Sequence, residues 1–351
     1  MSTHEPTHSN GPAEKRGSRG KRADRGSREA RTLLFGNPII DHYAEIDEDT
    51  EEKIRALRPD YCRGEAHHVD PGVMDELLHL VRPEARFVGG GALTTASLLA
   101  RLGTSVTFAG SVGNDEEAEE VRQALALRGV GSLVRTCPKS AQDRHRQRTG
   151  RGLYLRHTAD RRGRSGGGKD GDAEPDGTAE PDAAGGAPLE TIFVSPSAAL
   201  AMDRVPEELW EVAGAGRLPL FIFLEGFLLP RRGLMQEIVE LCSVSGARLS
   251  IDLGNEDIVR GFRDGSLAAL LQQTQLLFGT EDECAALLPE QAGLTEKRGS
   301  AEHGRRELFS PNGPFHAYLH RTGIPAAVVK RGASDILLFE KERRTAVPTV
   351  P

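Results

Sequence analysis

Three consecutive glycines, Gly89, Gly90 and Gly91, open the stretch FVGGGALTTASLLARLG (87–103), and the residues after them have the apolar spacing of a helix. Glycines at such a junction let backbone amides approach a ligand with no β-carbon in the way. The helix start adds unpaired N–H groups and positive dipole character. The chemistry on offer is the binding of hydroxyls or of an anion, although a tight turn packing the helix onto a sheet would use the same residues. Upstream, Asp41 ends the run FGNPIID, and an ionised carboxylate there accepts hydrogen bonds from two neighbouring hydroxyls. Downstream, Glu283 stands in TEDE, and Lys330 and Gly332 stand in VVKRGASD. Read singly, they are a helix acid, a strand-end cation and a turn glycine.

Other constellations carry less. Cys62, Cys137, Cys242 and Cys284 are far apart, form no CxxC pair and have no histidine at ligand spacing, so no zinc site is expected. GGGKD (166–170) lacks the glycine spacing of a phosphate loop and the Ser or Thr after its lysine. A net charge of −7 argues against wholesale nucleic-acid binding, and the basic run 15–31 has no interleaved aromatic residue to stack on bases. Residues 1–15 have no apolar signal segment, and no apolar run approaches the ~18 residues of a membrane span, so a cytoplasmic protein without a membrane partner is expected.

The elements that must position these residues alternate strand and helix. TLLFGNPIIDHYAEID (32–47) reads as a strand, a bend at Gly36–Asn37 and a second extended piece. Helices are predicted over 73–81, 94–102 and 115–130, the last started by acids and ended by Gly129, with the β-rich run SVTFAGSVG (105–113) between them. Strands at 191–196, 220–226, 248–254 and 275–280 then alternate with helices, and PAAVVKRGASDILLFE (325–340) reads as two strands about a glycine turn. Short apolar strands separated by amphipathic helices predict an α/β fold with three αβα layers and a doubly wound, mostly parallel sheet. Two polar segments, 1–31 and about 161–188, cannot offset their ordering entropy and are expected to be a disordered tail and a disordered loop.

The order of these motifs resembles the ribokinase-like, or PfkB, family of sugar and nucleoside kinases over most of 32–351. FGNPIID looks like the family's first strand and turn, GGGALTTASLLARLG like its first signature, and AGSVGNDEEAEEVRQALALRGV like the segment that follows. FLEGFLL, LSIDLGN, LLFGTEDECAALL and AAVVKRGASDILLFE come after in the family's order. FLEGFLL and the form of the first signature look closer to the adenosine-kinase-like and fructokinase-like branches than to ribokinase. The resemblance implies ATP and Mg2+ as cofactors and a sugar or nucleoside as substrate. It implies Asp41, Gly89, Gly90 and Thr94 at the substrate, Lys330 and Gly332 at the nucleotide, and Glu283 near the metal through water. It also implies a small β-lid, which we expect from the pieces around 40–47, 132–154 and 191–196, and it allows a homodimer through that lid.

Several positions depart from the family. Thr94 and Thr280 stand where the family usually has Asn, and Asp335 stands where a second glycine is common. The family's second signature, Gly-Ala-Gly-Asp at a helix start, supplies an anion hole and the base for the acceptor hydroxyl, and it does not occur in residues 1–351. Two expectations follow: a phosphotransferase whose base lies past Pro351, with Asp252 as the substitute candidate inside the chain, or a binding protein that has kept the acceptor cleft and lost the chemistry. In either case apolar strand surface near Val328 and Val329 is expected to be open to water. A nicotinamide dehydrogenase fits less well, because Gly36-Asn37-Pro38 after the first strand supplies no GxGxxG.

Overall fold

A computed structural model of the chain describes residues 31–137, 147–157, 190–214, 221–263, 265–289, 301–332, 334–341 and 343–349. The tail expected over 1–31, Arg31 apart, and the insert expected over 161–188 lie outside these residues. In chain order the strands are β1 (Arg31–Phe35), β2 (Ile39–Ile46), β3 (Ala66–His68), β4 (Ala85–Gly89), β5 (Ser105–Val112), β6 (Gly131–Thr136), β7 (Gly150–His157), β8 (Glu190–Ser195), β9 (Phe221–Glu225), β10 (Arg248–Asp252), β11 (Thr274–Thr280), β12 (Ala326–Lys330), β13 (Ile336–Glu340) and β14 (Arg343–Val347). The helices of the first half are α1 (Glu48–Leu57), α2 (Pro71–Val81), α3 (Gly91–Arg101) and α4 (Glu116–Leu127).

One sheet runs in the order β14-β13-β12-β11-β10-β9-β1-β5-β6. Neighbours from β12 to β6 are parallel, and β13 and β14 add an antiparallel edge. Alternate residues of each strand face opposite layers. Leu33, Phe35, Ile222, Leu224, Ile251 and Leu277 enter one core beneath the helices of the second half, including Arg232–Ser245. Leu34 and Phe108 enter another, covered by α3 and α4. The expected doubly wound three-layer fold is therefore present.

The openness expected at Val328 and Val329 applies to only one of them. Val329 is fully buried in the first core, because it faces the same way as Leu277 and Leu337. Val328 points to the other layer and is half-buried with Phe278 and Leu338, its strand neighbours.

The second sheet, in the order β3-β8-β7-β2-β4, is the lid, and α1 and α2 pack on one of its faces through Ala44, Ile54, Met74, Leu77, Leu153 and Phe193. The pieces at 40–47 and 191–196 belong to it as expected, but 132–136 does not. After α4 the chain turns at Gly129, which has φ 69°, and β6 returns parallel to β5 as the outer strand of the large sheet. Only the last part of the 132–154 piece, β7, joins the lid, and β3 and β4 complete it. Among the described residues no helix is long and apolar enough to cross a membrane.

Candidate functional site

Asp41 lies on β2, beside the lid's junction with the large sheet. Its carboxylate accepts hydrogen bonds from the Gly90 N–H and from the Tyr154 hydroxyl. Burial pushes its pKa from 3.8 to about 6, against the pull of those two donors. The flanking glycines are required sterically. A β-carbon on Gly89 would stand 2.0 Å from Asp41 Oδ2, and one on Gly152 would stand 2.8 Å from Oδ1. Gly90 has φ 95°, and a β-carbon there would meet the Asn37 carbonyl oxygen at 2.2 Å. Both features favour glycine. The result is a carboxylate held against bare backbone, open to hydroxyl groups on its remaining side.

The start of α3 is already occupied by an internal carboxyl group. Glu225, at the end of β9, is buried and accepts from the backbone N–H groups of Asn37 (2.6 Å), Gly91 and Ala92. Burial raises its pKa to about 7, the three amides oppose the rise, and Asp252 adds to it. Gly36 and Gly91 make room for this side chain, since β-carbons there would lie 2.7 and 2.9 Å from its oxygens. Part of what the glycine-rich turn holds is therefore the protein's own carboxylate. The sequence signal was an acid ending an apolar strand in FLEGFLL, but its partners are 188 residues away in the case of Asn37.

Next to Glu225 in register is Asp252 at the end of β10, and Thr280 and Lys330 end β11 and β12 side by side. These are the carboxyl ends of parallel strands, where open α/β sheets bind ligands. Lys330 Nζ lies 3.2 Å from both carboxylate oxygens of Asp252. Thr280 caps the helix Glu281–Ala286 in a reciprocal box: its hydroxyl accepts from the Glu283 N–H, and Glu283 Oε2 accepts from the Thr280 N–H at 2.8 Å. Burial raises the Glu283 pKa, and that bond and Lys330 partly offset the rise. Gly332 has φ 59° and open space where a β-carbon would stand. Thr94, one turn into α3, is exposed.

A comparison with protein families matches residues 65–140 to the pfkB family carbohydrate kinases, a span that includes β4, α3 and α4. Among solved structures, the adenosine kinase from Sinorhizobium meliloti superposes with a TM-score of 0.64 at 16% identity, covering 92% of this chain and 81% of its own. The adenosine kinase of Anopheles gambiae, in complex with P1,P4-di(adenosine-5) tetraphosphate, gives 0.63 at 16% identity with 92% and 84% covered. A probable sugar kinase from Rhizobium etli gives 0.62 at 16% with 92% and 80%. The chain has the ribokinase-like fold of the PfkB kinases. No curated protein sequence matches it.

In this ribokinase-like frame the residues read from the sequence fall into two groups. Asp41, Gly89 and Gly90 are brought into mutual contact at the lid, with Thr94 one turn away. Lys330 and Glu283 interact at the carboxyl edge of the sheet, with Gly332 just beyond Lys330. The coupling of Glu225 to Asp252 links the groups. Asp252, the residue considered above as a candidate substitute base, is in an ion pair with Lys330. Tyr154, Gly152 and Glu225 are site residues that the sequence reading missed.

Proposed function

We propose that the chain holds an alcohol-bearing acceptor, a sugar or a nucleoside, at Asp41, Gly89 and Gly90 in the cleft of a PfkB-type, ATP-dependent phosphotransferase. The observation that carries this reading is the Asp41 carboxylate. It is half-buried, fixed by one amide and one hydroxyl, and surrounded by glycines that clear its approach. Such a group accepts bonds from paired hydroxyls in a fixed direction. Lys330 and the backbone at Gly332 would face the phosphates of ATP, where the open space at Gly332 fits a bulky anion. Mg2+, when bound with ATP, would neutralise charge on the transferred phosphoryl group. Glu283, which the family resemblance puts near the metal, would reach it through water from the first turn of Glu281–Ala286. We assign this activity to the cytoplasm.

A second reading, a binding protein without turnover, is favoured by one set of contacts. The cleft acids are bonded internally: Asp252 to Lys330, Glu283 to the Thr280 N–H, and Glu225 to three amides. None of these is poised as a free base. Calorimetry and a phosphorylation assay on the 351-residue chain test both readings. Asp41→Asn is expected to weaken acceptor binding by about 1.5–3 kcal/mol, as for a hydrogen bond to a charged group, with nucleotide binding nearly unchanged. Equal weakening of both ligands would make Asp41 a residue of the fold. Turnover of this polypeptide is expected at trace level, since general acid–base catalysis is worth ~10²–10⁴-fold. Robust turnover would assign the base to Asp252, and Asp252→Asn would then abolish it.

A further inference from the structure

Asp41 shares its face of the lid with three aromatic rings. Side chains alternate across a strand, so Asp41 and Tyr43 of β2, Phe87 of β4 and Tyr154 of β7 project to the same side. The opposite side carries Ala44, Leu153 and Leu155 into the core beneath α1 and α2. Phe87 is the direct cross-strand partner of Asp41 and is 60% exposed, while Tyr43 is 37% exposed. The rings of Tyr43 and Tyr154 are stacked at 4.7 Å with planes 13° apart. Phe87 meets Tyr43 at 5.9 Å with planes 66° apart. The three rings form a corner with two walls, one stacked and one nearly upright.

A lone exposed phenylalanine needs no explanation. This corner differs because it is continuous with the acceptor carboxylate: the Tyr154 hydroxyl donates to Asp41, and Phe87 stands directly opposite it. Cβ atoms of directly opposed antiparallel residues lie about 4.5–5.5 Å apart, a separation comparable to that between the sugar and the base of a nucleoside. Flat heteroaromatic bases stack on such side chains whatever their edge pattern. A bare sugar has no group to fill the corner.

Resting on the acceptor reading above, we propose that Phe87, Tyr43 and Tyr154 form a base subsite. The acceptor is then a nucleoside, with its ribose hydroxyls on Asp41 and its base in the aromatic corner. Phe87 and Tyr43 determine specificity for nucleosides over sugars. The hydroxyl-binding and base-binding surfaces are one unit, tied by the Tyr154–Asp41 bond.

The test is calorimetry of the full chain with adenosine, uridine and D-ribose, repeated on Phe87→Ala, Tyr43→Ala and Phe87→Trp, with the oligomeric state measured for each. Both nucleosides are expected to bind at least about tenfold tighter than ribose. In the alanine variants that preference should fall about five- to a hundredfold, the range for one base stacked on an aromatic side chain. Phe87→Trp, which keeps a wall, should retain it. Equal affinity for ribose and nucleosides, or an equal loss of both in Phe87→Ala, overturns the base subsite and leaves Asp41 as the acceptor residue. Absence of binding by all three ligands overturns the acceptor reading itself. A wild-type dimer that dissolves in Phe87→Ala while nucleoside affinity stays fixed assigns the corner to a second copy of the chain and overturns the proposal.

Discussion

With its pKa raised by burial from 3.8 to about 6, Asp41 is ionised at neutral pH against the preference of the fold. The sign follows from linkage: the folded state binds the proton more tightly, so the stability this group contributes is fully present below pH 3.8 and is lost as pH rises through 6. The shift corresponds to about 3 kcal/mol, from which Asn loses about 1 kcal/mol by giving up one acceptor. Asp41→Asn should therefore be about 2 kcal/mol more stable than the natural chain at pH 8 and no more stable at pH 3.5, by urea denaturation at each pH. A gain at neutral pH together with a loss of acceptor binding is the behaviour of a residue kept for a ligand. Gly89 and Gly90 were legible in the sequence because a glycine-rich helix start is a local signal, and Asp41 was legible through the order of motifs around it, whereas Gly152 was not. Glu225 and Tyr154 were not, since their roles depend on amides and a carboxylate brought in from distant segments.

At the scale of elements, Thr280 shows how a departure from a family pattern can be read physically. The sequence comparison marks it as a lost asparagine, whereas the structure gives it a capping box with Glu283 at the first turn of Glu281–Ala286. Thr280→Ala should cost about 1 kcal/mol, and Thr280→Asn should be near neutral, because Asn caps as well as Thr does. Differential scanning of the three chains checks this; an alanine variant as stable as the natural chain would mean the cap is idle. Helices with an apolar stripe and a clear stop were legible, as at Gly129 after α4 and at Gly246, with φ 67°, after Arg232–Ser245. α1 was not, because six of the ten residues of EDTEEKIRAL are charged and Ile54 is its one fully buried apolar side chain. β6 was assigned to the wrong sheet, since GSLVRT carries no strong apolar alternation to choose a partner.

At the scale of the whole molecule, the two faces of the large sheet are covered unequally, and neighbouring valines on β12 report it. Val329 lies in the core and Val328 on the half-open side. Removing two methyl groups from a buried valine costs about 2 kcal/mol with its cavity, so Val329→Ala should lose that much and Val328→Ala less than about 1. Equal losses would mean both faces are sealed. The layer architecture was legible because runs of four to six apolar residues with helices between them admit few arrangements. The lid was harder to read, since its five strands come from two separate regions of the chain, 39–89 and 150–195, and pair in both directions.

The polar insert joins β7 to β8, which are antiparallel neighbours with Arg156 opposite Glu190 and their side chains 2.9 Å apart. The ends of the connection are therefore already side by side. The cost of closing a flexible loop changes by only about 0.6 kcal/mol per doubling of its length, and a Gly-, Asp- and Pro-rich composition supplies no apolar surface to bury. Deleting residues 163–186 leaves enough chain to bridge two adjacent strands. The shortened protein should match the natural one in urea denaturation within roughly 0.5 kcal/mol, the range of surface changes. Its acceptor affinity should also hold, because Asp41 and Phe87 pair at the level of Gly152, four residues before Arg156 on β7, and Tyr154, two residues before Arg156, is fixed by its bond to Asp41. A loss of several kcal/mol would show that the insert contributes a folded element to the lid. A loss of acceptor affinity at unchanged stability would show that it reaches over the site.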